Sequence, residues 1–190
     1  MGVRENSLIQ IGFCLVRVSD GTIVSRFSSY VQQPPNTKWE ERCVREFWEK
    51  HPDQFERAKQ GVSKAPPADE VARNLLEWVR TNVTDITTTR LITDTAGFDL
   101  AWLDWLLGDR SHLYLFEHDG VPVKTDVLDV GSWYLGLGGE MDPEASSKKA
   151  VLRALGKDAF PDFGVVHDHD AANDAALIAL RAAWVMRSMA

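Results

Sequence analysis

The residues best suited to chemistry lie in two short acidic stretches about seventy positions apart. The first is Asp94-Thr-Ala-Gly-Phe-Asp99-Leu-Ala-Trp-Leu, and the second is His167-Asp-His169-Asp-Ala-Ala-Asn-Asp174-Ala. Each sets a carboxylate at the head of an apolar, helix-like run. Burying a charge there is unfavourable unless it is paired or bound to a metal. Together the two stretches point to a metal-dependent site that cleaves phosphodiesters.

Each residue has a plainer role to weigh against that one. Asp99 follows a strand-like run and a Thr-Ala-Gly turn. It is either a first-turn helix residue favoured by the helix dipole, or a metal ligand at the carboxyl end of a strand. Asp94, at the strand end, is better suited to forming the turn. Asp104, further along the helix, is expected to be solvated or paired. Asp174 precedes Ala-Ala-Leu-Ile-Ala-Leu-Arg-Ala-Ala-Trp-Val, a run with one charge, so it borders a dry interior. Asp170 is the better helix cap, which leaves Asp174 for a metal. His169, on the loop before this helix, is placed to act as a general base toward water, with His167 as its competitor. His51, His112 and His118 have no motif around them and read as structural.

These residues must be positioned by surrounding elements. Ser7 to Val18 reads as a strand, Asp20-Gly21 as a hairpin turn and Thr22 to Gln32 as the partner strand. Trp39 to Lys50 has helical spacing, with Trp39, Cys43, Phe47 and Trp48 on one face. A short helix follows His51-Pro52, to Gln60. Pro66-Pro67 opens an amphipathic helix carrying Val71, Leu75, Trp78 and Val79. Thr87 to Thr93 reads as a buried strand, Phe98 to Leu107 as a helix and His112 to Glu117 as a short strand. Thr125 to Leu137 reads as a helix that ends near Gly136, Gly138 and Gly139, and Ser146 to Leu155 as another. Ala171 to Met189 is the longest helical run and is apolar on most faces, so it is expected to be buried. Strands alternating with helices, closed by a buried helix, indicate an α/β fold.

A chain of 190 residues, 44% hydrophobic and 26% charged, fits one domain with a sizeable core. The formal net charge of −7 argues against coating nucleic acid by charge alone. It leaves a nuclease open, because bound divalent cations change the sign of the local field. The small basic cluster Lys148, Lys149, Arg153 and Lys157 reads as a solvated helix face. Cys14 and Cys43 lack metal-ligand spacing, and no apolar run reaches the length of a membrane span. An intracellular, cytoplasmic setting without a membrane partner is expected.

With these residues in place, the chain resembles the DEDDh-type 3′–5′ exonucleases of the ribonuclease H-like superfamily. Phe98-Asp99 matches the family's second motif, and His169 with Asp174-Ala175 matches its third. Leu128-Asp-Val-Gly-Ser-Trp-Tyr-Leu-Gly-Leu is similar to the stretch between those motifs in some members. Ser7-Leu-Ile-Gln-Ile-Gly12 is similar to the end of the family's first strand region. The resemblance implies a ribonuclease H-like mixed sheet flanked by helices, forming one domain over residues 1–190. It also implies two divalent ions, Mg²⁺ or Mn²⁺, with Asp99 and Asp174 as ligands and His169 as the base. The implied partner is the 3′ end of single-stranded nucleic acid, DNA or RNA, and a homodimer is implied as well.

The family's first motif, Asp-x-Glu, has no counterpart before Ile9-Gln-Ile-Gly12, where Glu5 is the sole acid. The first strand is therefore expected to be truncated, and cleavage by this chain to be weak or absent. Two other readings stand beside it. One is a degenerate exonuclease fold that binds nucleic acid or protein without cutting. The other is a wholly helical HD-type phosphohydrolase, which the strand-rich N-terminus disfavours.

Overall fold

A computed structural model of the protein describes residues 8–34, 37–108, 111–138, 152, 155–156 and 160–190. Glu5, the basic cluster at 148–157 and most of the helix expected over 146–155 lie outside the described residues.

The chain opens with a hairpin of β1 (Gln10–Arg17) and β2 (Thr22–Tyr30), antiparallel in the register Phe13↔Phe27. Its turn follows from Asp20-Gly21. Gly21 takes φ +74°, and the Asp20 carboxylate accepts the Thr22 N–H at 2.8 Å. That bond holds the Asp20 pKa down at about 2. Side chains alternate across the ribbon as the strand period requires. Phe13 and Phe27 face the helix α3 (Ala68–Asn82), where both rings pack on Trp78. The Trp78 indole N–H donates to Ser25 Oγ at 2.9 Å.

Gln10 and Gly12, of the other parity, meet the closing helix α6 (Ala171–Met189). Both ends of α6 are tied to the ribbon. The Gln10 side-chain amide donates to Asp170 at 2.7 Å, and Arg187 donates to the Val18 carbonyl at 2.8 Å. From Ala171 to Arg187 the helix rises about 24 Å, and from Gly12 to Val18 an extended strand covers about 20 Å. The helix therefore lies along β1.

Between these elements run α1 (Glu41–Glu46), a 3₁₀ turn over Trp48–Lys50 and α2 (Pro52–Ser63). The single helix expected over 39–50 is thus broken at Phe47, and Cys43 is exposed. Trp39, Trp48 and Phe55 still gather into one aromatic cluster, with ring centroids 4.9 to 5.7 Å apart. Pro52 starts α2 at a position where its missing N–H is harmless. In α3, Val71, Leu75 and Val79 are buried against Leu103, Leu106 and Leu107 of α4 (Ala96–Leu107).

Three expectations need correction. The strand expected over 87–93 is only β3 (Leu91–Thr93). Asp85 draws Thr87 and Thr88 into a side-chain-capped turn, with bonds of 2.6 and 2.7 Å. The strand expected over 112–117 is a 3₁₀ turn over His112–Tyr114 followed by the small hairpin of β4 (Phe116–His118) and β5 (Val121–Val123). The helix expected over 125–137 begins with a strand, β6 (Val127–Asp129), which pairs in parallel with β3 before α5 (Val130–Gly138) starts. Val127-Leu128 is apolar, and the partner strand 36 positions upstream decides its form.

The architecture is mixed α/β, with six helices and three two-stranded sheets among the described residues. The β1–β2 hairpin disposes of a wholly helical phosphohydrolase. No helix among the described residues is long and apolar enough to cross a membrane.

One position tests the arrangement. A Cβ placed on Gly12 would stand 2.2 Å from the backbone of Ala171, which has no side chain to swing away. Gly12→Ala should lower the unfolding free energy by about 3 kcal/mol or more, the upper range for overpacking. Urea unfolding of the variant beside the parent protein measures this.

Candidate functional site

Asp99 occupies the first turn of α4, directly after β3. The residue is exposed, but its carboxyl end turns inward and accepts the hydroxyl proton of buried Thr93. Packing around that end pushes the Asp99 pKa up, and the neighbouring charges of Asp94 and Asp129 add to the rise. Phe98, beside it, is 62% exposed. Such a flat apolar face at a helix start is available to a ligand.

Asp129 ends β6 and faces the same turn. One of its oxygens accepts the Ser132 N–H at 2.6 Å, and the other accepts the Ala96 N–H at 3.1 Å. It therefore caps α5 in the usual N-cap manner and also satisfies the first N–H of α4. These bonds hold its pKa down.

The second group is built by the loop before α6. Asp170 caps the helix through the N–H groups of Ala172 and Asn173, at 3.0 and 3.4 Å, as the sequence reading expected. Asp168 accepts from the Asn173 side chain at 3.0 Å and pairs with Arg57 at 3.3 Å, and its pKa falls. Asp174 differs from both. Its Oδ1 is buried and has no hydrogen-bond partner. Burial pushes its pKa up, while His167 and His169 pull the other way.

The structure brings His167, His169 and Asp174 together. Each offers a ligand atom within 4.8 Å of the others, and they are the only such group of three or more His, Cys, Asp or Glu among the described residues. Asp99 is not part of it. The helix that carries Asp174 nevertheless packs against β3, the strand that precedes Asp99. Asp174 is one turn from Ile178 on the same face of α6. Ile178 and Ile92 of β3 both pack against the core cluster that includes Val130 and Tyr134 of α5.

His169 is held by unusual means. Its backbone has φ +60°, a left-handed conformation that is unfavourable by about 1–2 kcal/mol for a residue with a Cβ. Its ring packs edge-on against Phe47 at 4.8 Å and lies 4.7 Å from His51 and 4.6 Å from His167. His51 was read as structural from sequence, but the fold brings it to the site. Its one sequence signal was its place before Pro52, where the chain must break. The other two histidines lie apart. His112 pairs with Asp104 at 2.9 Å, and His118 is exposed beside Asp119.

The raised pKa of Asp174 carries a stability consequence. Its folded value lies above its unfolded value, so the penalty is absent in acid and develops as pH rises from the ordinary carboxylate range through the folded value. Asp174→Asn removes the charge. The variant should melt higher than the parent near pH 7, by roughly 2–4 °C for up to about 1 kcal/mol, because solvent screens the part-exposed group. The gain should vanish below about pH 3.5, where both side chains are neutral. Thermal melts across that pH range, without divalent ions, check this.

Comparisons of this chain with family models, with curated proteins and with solved structures found no match.

Proposed function

We propose that this chain is a ribonuclease H-like, DEDDh-type 3′–5′ exonuclease domain that acts on the 3′ end of single-stranded nucleic acid, with slow cleavage. The observation that carries the reading is the pairing of His169 with Asp174, whose buried Oδ1 lacks a hydrogen-bond partner. Most carboxylates whose pKa is held down here are tied into caps and turns by N–H or hydroxyl donors. Among the described residues, the two raised by burial, Asp99 and Asp174, are the two that the family motifs single out.

Two of the oxygen donors that the divalent ions of such a site would need are present. An orphaned carboxylate oxygen at Asp174 and an inward carboxyl at Asp99 are hard oxygen donors, suited to Mg²⁺ or Mn²⁺. Bound there, the ions would supply charge neutralisation at the scissile phosphate. The chain's own residues account for the rest. His169 takes the proton of the attacking water through a ring nitrogen, and Phe47 and His51 fix its ring. Exposed Phe98 offers a stacking face for a base beside Asp99.

A specific observation favours the second reading, a non-catalytic module that binds nucleic acid. Strand β1, QIGFCLVR, contributes no acid, and Asp99 stands outside the His169–Asp174 group.

A gel assay with 5′-labelled single-stranded DNA and RNA in Mn²⁺ separates the two. The exonuclease reading expects a slow ladder of 3′-shortened products, lost in Asp174→Ala and His169→Ala. Phe98→Ala should weaken oligonucleotide binding by about 5- to 150-fold, the 1–3 kcal/mol of one stacked base. Binding without any product, by folded protein, would leave the second reading. Neither binding nor product would sink both.

A further inference from the structure

We propose that His167, His169 and Asp174 form a binding site for a single borderline transition-metal ion, Zn²⁺ above all. The donor set differs from that of a hard-cation site. Two imidazoles and one carboxylate suit Zn²⁺ and its neighbours, whereas Mg²⁺ favours oxygen donors and retained water. Three protein ligands with a fourth position left to water is a familiar zinc arrangement.

One distance matches this occupant, and the ligand atoms of the whole trio, within 4.8 Å of one another, need only draw closer for an ion to bridge all three. Zinc bonds of about 2.0–2.1 Å at the tetrahedral angle put adjacent ligand atoms about 3.4 Å apart. His167 Nε2 and Asp174 Oδ1 stand 3.4 Å apart. That is long for a charge-assisted hydrogen bond, which closes to about 2.7–2.9 Å. The carboxylate oxygen accordingly has no hydrogen-bond partner, although an imidazole faces it. One ion between them would satisfy both.

The surroundings prepare the trio. The left-handed backbone at His169 and the rings of Phe47 and His51 hold one ligand beside the other two. Asp170 and Asp168 are occupied by the helix cap, Asn173 and Arg57, so they do not compete for the ion. Cys14 and Cys43 are free thiols outside the group. The inference shares Asp174 and His169 with the exonuclease reading but stands on the geometry of the trio alone. Zn²⁺ seated here would hold His169 away from the water-activating role.

The test is made on the purified 190-residue chain, freed of metal with a chelator and without nucleic acid. Zn²⁺ affinity is read by competition with a chromophoric chelator, and coordination by the visible spectrum of the Co²⁺ form. One equivalent should bind. His167→Ala and Asp174→Asn, each confirmed folded by circular dichroism, should weaken binding by at least about 10- to 100-fold, the loss seen even for outer-shell partners. His118→Ala and Cys43→Ser should leave it unchanged. Co²⁺ should give intense four- or five-coordinate bands without a thiolate charge-transfer band. Unaltered affinity in His167→Ala and Asp174→Asn, or a thiolate band, would overturn the site. No substrate is present, so this result stands apart from the cleavage assay.

Discussion

The closeness of β1 to the start of α6 governs the molecule. At Gly12 the strand backbone lies against the Ala171 backbone with no room for a side chain. A two-stranded hairpin is marginal by itself, and a helix as apolar as α6 needs cover. Each supplies what the other lacks. The Gln10 side chain reinforces the contact from both ends of its amide, donating to Asp170 at 2.7 Å and accepting the Ala171 N–H at 3.4 Å. Because this junction fixes the first turn of α6, it also fixes where Asp174 stands and where the preceding loop delivers its histidines.

Around that junction the acids divide their work. Asp170 caps, Asp168 ties the loop to α2 through Arg57, and Asp129 caps from across the fold. Each is stabilised as a charge by the donors it accepts. Asp174 receives no such bond at Oδ1, and among the described residues Asp99 accepts a threonine hydroxyl and a backbone N–H. Among the described residues, Asp99 and Asp174 are thus the two carboxylates left in environments that resist ionisation.

Much of this was legible where the signals are local. Asp20-Gly21 announced its hairpin, Pro66-Pro67 its helix, and the run from Ala171 to Met189 matched α6 at both ends. Reading Asp170 as the cap, and so leaving Asp174 over, needed only helix-end chemistry. What failed to show depends on distant partners. Val127–Asp129 becomes a strand only because β3 lies beside it. Thr87 and Thr88, good strand formers, are captured by Asp85 instead. His51 looks idle in sequence because its neighbours at the site, Phe47 aside, arrive from residues more than a hundred positions away. The grouping of His167 with Asp174 was likewise a matter of loop geometry, since spacing favoured His169.

Asp129 joins two helices through one side chain. The amino ends of α4 and α5, each the positive pole of its helix, converge on the same carboxylate, one oxygen apiece. Neither end can fray without releasing an oxygen from the charge that steadies the other. The starts of the two helices are therefore coupled through one side chain. Asp99 rides on the first turn of α4, so it is tied to α5 through a carboxylate other than its own.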